Sequence, residues 1–191
     1  MRKILRSARW VVTGLLLFLV SVSANAQATP AAGQAAPNFR LTAQDGSSVS
    51  LSSLRGQWVV VFFYPSTTDS GSVTEVKAFE GDLAQYSKSG TVLGISTSST
   101  ALQLKLASAT GATFPLLSDP GGKTAQTYGS LSTKGTANRN TFLIDPQGNV
   151  SQVWTGVAPA TASTQVKSTL SLKPPVGSVK PTTMSLKPPV G

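Results

Sequence analysis

The chain has 191 residues, 40% of them apolar and only 12% charged, so it can bury one modest core while its polar surface is built mostly from Ser, Thr, Gln and Asn. It contains no cysteine and no histidine, which excludes disulfides, thiolate catalysis, Cys- or His-based metal and cluster sites, and a Ser-His-Asp triad. The net charge of +9 sits at the ends: eight bases and seven acids lie between residues 27 and 165, four bases in residues 1–26 and four in 166–191, which excludes the clustered basic surface that nucleic-acid binding by the domain requires.

In chain order, Arg2, Lys3, Arg6 and Arg9 form a basic n-region, Trp10 to Val22 an apolar stretch, and Ala24-Asn25-Ala26 an A-x-A cleavage site. The apolar stretch is shorter than the ~20 residues a membrane span needs. The expectation is a Sec-type signal peptide over 1–26 and export to the periplasm or another envelope or extracellular compartment, with no stable membrane span after cleavage; an uncleaved anchor is the alternative. Residues 27–36 read as a flexible linker.

A domain is expected over 37–168. Asn38–Ala43 and Ser48–Leu51 read as a strand and its return around the turn Gln44-Asp45-Gly46. The continuously apolar Trp58–Tyr64 suits a central strand buried on both faces. Ser72–Ser87 reads as a helix with Val76, Phe79 and Leu83 at helical spacing, opened by Ser72-Val73-Thr74-Glu75 as a capping box. Thr91–Ser96 is a second buried strand. Ser99 caps a further helix in which Leu102, Leu106 and Ala109 share a face, before Gly111 stops it. Phe114–Leu117 is short and apolar, and Asp119–Gly122 is a turn into a short helix ending near Tyr128. Gly122-Lys123-Thr124 matches the end of a phosphate-binding loop, but the glycine required five residues earlier is Leu117. Thr141–Ile144 and Val150–Trp154 form a hairpin around Asp145-Pro146-Gln147-Gly148. Residues 169–191 read as a Pro/Lys-rich tail, in which Ser171-Leu-Lys-Pro-Pro-Val-Gly177 recurs unaltered as Ser185–Gly191. The plain reading is a solvated spacer. The functional one is a motif presented twice, or a cationic segment touching an acidic envelope polymer.

Residues from about Gly33 to Thr164 resemble the peroxiredoxins, in particular the bacterioferritin-comigratory (Q-type) branch. The resemblance is carried in order by Ala36-Pro37-Asn38-Phe39-Arg40-Leu41, by Asp45-Gly46 with Val49–Gly56, and by Val61-Phe62-Phe63-Tyr64-Pro65. Leu93-Gly94-Ile95-Ser96, Phe114–Asp119 and Arg139-Asn140-Thr141-Phe142-Leu143-Ile144-Asp145 complete it. It implies an α/β, thioredoxin-like fold: a central mixed β-sheet flanked by helices, with an N-terminal β-hairpin extension. It also implies an active loop P-x-x-x-T-x-x-C, with a distant arginine that holds the thiolate.

Here Pro65 matches the proline and Arg139 the arginine, but Asp69 stands at the threonine and Ser72 at the peroxidatic cysteine. A serine hydroxyl is far less acidic than a thiol and cannot cycle through sulfenic acid. Asp69 would further oppose an anionic nucleophile. Ser72 fits a helix-capping role, Arg139 an ion pair with Asp69 or Glu75, and Lys77 a solvent-facing position. No cofactor or metal is expected.

The expected function is that of an exported, catalytically inactive pseudo-peroxiredoxin acting as a binding or scaffold module. Its partner would be an unidentified protein or a small anion held by the helix N-terminus, Arg139 and Ser72, and a homodimer is possible. The alternatives are an active antioxidant oxidoreductase, as the resemblance alone implies, a weak Ser72-based hydrolase, and a paralogue without function.

Overall fold

The computed structural model describes residues 28–86 and 90–173. The export segment and the second copy of the repeated heptapeptide lie outside the described residues. The strands are β1 (Arg40–Ala43), β2 (Ser48–Ser50), β3 (Trp58–Phe63), β4 (Gly90–Ser96), β5 (Leu116–Ser118), β6 (Asn140–Ile144) and β7 (Val150–Thr155). The helices are α1 (Ser70–Gly81), α2 (Leu83–Tyr86), α3 (Thr100–Thr110), α4 (Lys123–Thr127) and α5 (Ala162–Ser171). The strands make one mixed sheet in the order β2-β1-β5-β4-β3-β6-β7. Strands β3, β4 and β5 run parallel; β1 and β6 are antiparallel to their neighbours. This is the α/β, thioredoxin-like arrangement that the sequence implied, with β1 and β2 as the N-terminal hairpin.

All six residues of β3 are buried, because each face of the sheet is covered. Trp58, Val60 and Phe62 pack with Val76 and Phe79 of α1, Leu106 of α3 and Val166 of α5. Val59, Val61 and Phe63 pack on the other face with Phe39, Leu51, Ala125 and Tyr128. Phe62 and Phe79 stack with ring centroids 4.3 Å apart, and burying each such side chain contributes roughly 1.5–3 kcal/mol. Among the described residues, no helix is long and apolar enough to cross a membrane.

Three local readings are corrected. The helix expected over Ser72–Ser87 begins earlier, at Ser70, and breaks at Asp82. Asp82 leaves the helix to accept a hydrogen bond from Ser163 Oγ (2.5 Å) and to pair with Lys167 Nζ (2.7 Å). In α3 the buried face is Gln103, Leu106 and Ala107, whereas Leu102 is 39% exposed. A polar network turns the helix this way: Gln103 Nε2 donates to Ser96 Oγ (3.0 Å) and to the Leu117 carbonyl (2.7 Å), while Oε1 accepts the Tyr64 hydroxyl. A buried amide with three partners outweighs the burial of one more leucine.

The third difference is α5, which the sequence reading assigned to no element. Its buried residues Ala162, Ser163, Val166 and Leu170 form one face at helical spacing. The Tyr86 hydroxyl ties this helix to α2 by donating to the Ser163 carbonyl at 2.6 Å. The boundary between domain and tail drawn after residue 168 therefore falls inside α5. Ser171 of the first repeat copy ends the helix, and the Lys173 amine lies 5.8 Å from the Trp58 ring centroid. Leu170→Ala is expected to lower stability by about 2 kcal/mol, and ending the chain at residue 168 is expected to lower it further. Urea unfolding followed by tryptophan fluorescence measures both; an unchanged midpoint in the truncated chain would place the last turn of α5 outside the cooperative domain.

Candidate functional site

The β3 ladder ends where Pro65, with no backbone N–H, follows Tyr64. The chain then loops through Ser66, Thr67 and Thr68 into α1. Antiparallel pairing of Phe62 with Thr141 sets Arg139, two residues before Thr141, beside the end of β3. The loop, the first turn of α1 and Arg139 thus converge at the carboxyl end of the central strand, where open α/β sheets place their ligand sites.

Asp69, not Ser72, is the N-cap of α1. Its Oδ1 accepts the Ser72 amide at 2.9 Å and the Ser72 hydroxyl at 3.2 Å. The capping box expected at Ser72 is therefore not formed: Ser72 is the third helical residue, and it is fully buried. Glu75, also fully buried, does not reach back to cap the helix. Its Oε2 accepts a hydrogen bond from Arg139 Nη1 at 2.8 Å, while Arg139 Nη2 pairs with Asp69 Oδ1. The sequence reading had offered Asp69 or Glu75 as the arginine's partner, and the structure uses both. The contact from Arg139 Nη1 to Ser72 Oγ is long, at 3.5 Å. Pro65 is half-buried and Lys77 is exposed.

Gly71 is the residue that the sequence reading passed over. A Cβ there would lie 2.7 Å from Arg139 Nη2, 3.0 Å from Asp69 Oδ1 and 3.1 Å from Pro159 Cγ, so a side chain at this position would displace the guanidinium tip from over the first turn. A glycine in the first turn of a helix is the one signal that could have marked it.

Burial pushes the Asp69 carboxyl up, but the Ser72 amide, the Arg139 charge and its hydrogen bond outweigh burial and hold the group below the usual carboxylate value. Glu75 behaves oppositely. Its burial dominates the pull of Arg139, Asp69 adds repulsion, and the carboxyl is pushed up from 4.5 to about 7. Its Oε1 has no hydrogen-bond partner, nor does the buried Thr67 Oγ1, so the ionised form of Glu75 is poorly solvated on that side.

Chemically, the site holds a hydroxyl that donates to a carboxylate and an arginine already engaged by two carboxylates. Asp69, with its lowered pKa, is a weak base for Ser72. An external anion would have to displace Asp69 to reach Arg139.

A thioredoxin-like sheet with an arginine facing the helix that follows its central strand is the architecture of the peroxiredoxin class. The chain belongs to the AhpC/TSA family, whose profile matches residues 32–153. It is 35% identical over 130 residues to a bcp-type peroxiredoxin of Coxiella burnetii, covering 64% of this chain and 86% of that one. Among solved structures, it is similar to peroxidoxin BcpB of Mycobacterium tuberculosis, with a TM-score of 0.71, 27% identity, and 76% of this chain and 99% of that one covered. It is also similar to a cysteine-to-serine mutant of peroxiredoxin Q from Xylella fastidiosa, with a TM-score of 0.71, 27% identity, and 75% and 97% covered.

The raised Glu75 value sets a pH dependence. Between 4.5 and about 7 the folded protein keeps a proton that the unfolded chain has lost. Unfolding then releases a proton, so stability falls as pH rises through that window. Asp69 acts the other way, but only below 3.8, where its stabilisation is lost as pH falls. Denaturation midpoints measured across pH 5 to 7 are expected to decline in the native chain and to flatten in Glu75→Gln.

Proposed function

We propose that this chain is an exported pseudo-peroxiredoxin: a family scaffold that does not reduce peroxide and serves as a binding or scaffold module in the cell envelope. The observation that carries the reading is Ser72. At the peroxidatic position the chain presents a fully buried hydroxyl donating to Asp69, in a protein with no cysteine to form or resolve a sulfenic acid. Export rests on the basic n-region, short apolar stretch and A-x-A site at the N-terminus. A homodimer is compatible with this role. The buried position of Ser72 and the low basicity of Asp69 count against a Ser72 hydrolase.

The test is peroxide consumption by residues 27–191 with a thioredoxin or glutaredoxin reducing system. The native sequence is expected to match a boiled control. Ser72→Cys is expected to gain little, because Asp69 would sit beside the new thiol and oppose its ionisation. Ser72→Cys with Asp69→Thr is expected to gain clear peroxide-dependent turnover, since Arg139 Nη2 is then released to face a thiolate. Peroxide consumption by the native chain would overturn the proposal.

A further inference from the structure

A second opening lies at the same end of the sheet, one strand pair away. β1 and β5 pair only through Thr42–Ser118 and Ala43–Leu117. Beyond Ser118 the strands diverge: the Asp119 amide donates to the Ser96 carbonyl at 2.9 Å, drawing the chain toward β4. Pro120, which has no N–H, cannot continue the ladder. The divergence leaves a half-open cleft of about 390 Å³ between the start of β1 and α4, within the size range of small-molecule sites.

The cleft combines an apolar wall with unpaired polar groups. Phe39, Leu41 and Pro120 supply the wall. Arg40 and Lys123 are among its lining residues, and neither makes an ion pair or a side-chain hydrogen bond among the described residues. Asp119, the acid in the lining, is not their partner: it is 2% exposed, and its two oxygens accept the amides of Thr124 (3.1 Å) and Ala125 (2.8 Å). Thr124 lines the cleft, and its hydroxyl, open to solvent, has no protein hydrogen-bond partner among the described residues. A solvent-accessible hydroxyl beside two cations without ion-pair partners and an apolar wall suits a ligand with a charged head and an apolar body.

We infer that this cleft binds a small amphipathic oxyanion, a carboxylate or phosphate monoester, with the head between Arg40, Lys123 and the Thr124 hydroxyl and the apolar body against Phe39, Leu41 and Pro120. Arg40 supplies the planar fork that suits either oxyanion, and Lys123 a point charge. The site is separate from the Asp69–Arg139 cluster, so it stands or falls independently of the peroxide assay.

The experiment is a titration of residues 27–191 with octanoate, octyl phosphate, 1-octanol and inorganic phosphate, followed residue by residue in amide NMR spectra. Octanoate or octyl phosphate is expected to saturate at millimolar concentration or below, with shifts centred on Phe39, Lys123 and Thr124; the tighter of the two identifies the head group. 1-Octanol and inorganic phosphate are each expected to bind about tenfold more weakly. Arg40→Gln and Lys123→Gln, both on the surface, are expected to weaken the amphiphile about tenfold, and Lys134→Gln, on an exposed loop, to leave it unchanged. Octanol binding as tightly as both anions, an affinity unmoved by Arg40→Gln and Lys123→Gln, shifts centred elsewhere, or no saturation would each overturn the inference.

Discussion

One guanidinium between two carboxylates organises the end of the central strand. Arg139 is the only cation touching Glu75 among the described ion pairs, and Glu75 is fully buried. A buried carboxylate without a partner costs several kcal/mol, and Arg139 offsets part of that cost for the first turns of α1. The same guanidinium fixes Asp69, and Asp69 in turn fixes the start of the helix. Gly71 favours this arrangement, since a Cβ there would crowd the guanidinium tip.

That cluster also bears on the proposed absence of peroxide chemistry. A thiolate at a helix N-terminus draws on unpaired amides and a nearby cation. Here the Ser72 amide donates to Asp69, and the cation is divided between Asp69 and Glu75. The positive field that would stabilise a nucleophile is neutralised by the chain's own acids. On the proposed reading, serine at the peroxidatic position lacks the reactive atom, and the aspartate at the threonine position removes the electrostatic setting as well.

Much of this was legible from the residues. The run Trp58–Tyr64 is apolar at every position because β3 has helices or loops on both faces, and a two-faced strand carries no polar alternation to misread. Arg139 was identified with the right partners because few acids exist for it to meet. The start of α1 was not legible: Asp69 and Ser72 are both good caps, and the choice between them depends on an arginine 70 residues away. The buried face of α3 was not legible because Gln103, which a hydrophobicity pattern turns outward, is buried by three hydrogen bonds to Tyr64, just past β3, and to β4 and β5. α5 was missed because Ala162, Val166 and Leu170 are separated by Ser, Thr, Gln and Lys, too dilute an apolar stripe to stand out against the polar tail that follows.

Two openings lie at the carboxyl ends of the strands. Their positions are set by topology: β3 ends at Pro65, and β5 leaves β1 at Pro120, each a point where the ladder runs out of donors. Side chains then decide what each opening can do. At the end of β3 two acids meet one base, and the opening is closed by its own charges. At the end of β5 the acid is spent on helix amides and two bases remain unpaired. A domain whose core stretch carries nearly balanced charge thus has a local surplus of positive charge beside exposed apolar surface, away from the position where its relatives would place a thiol.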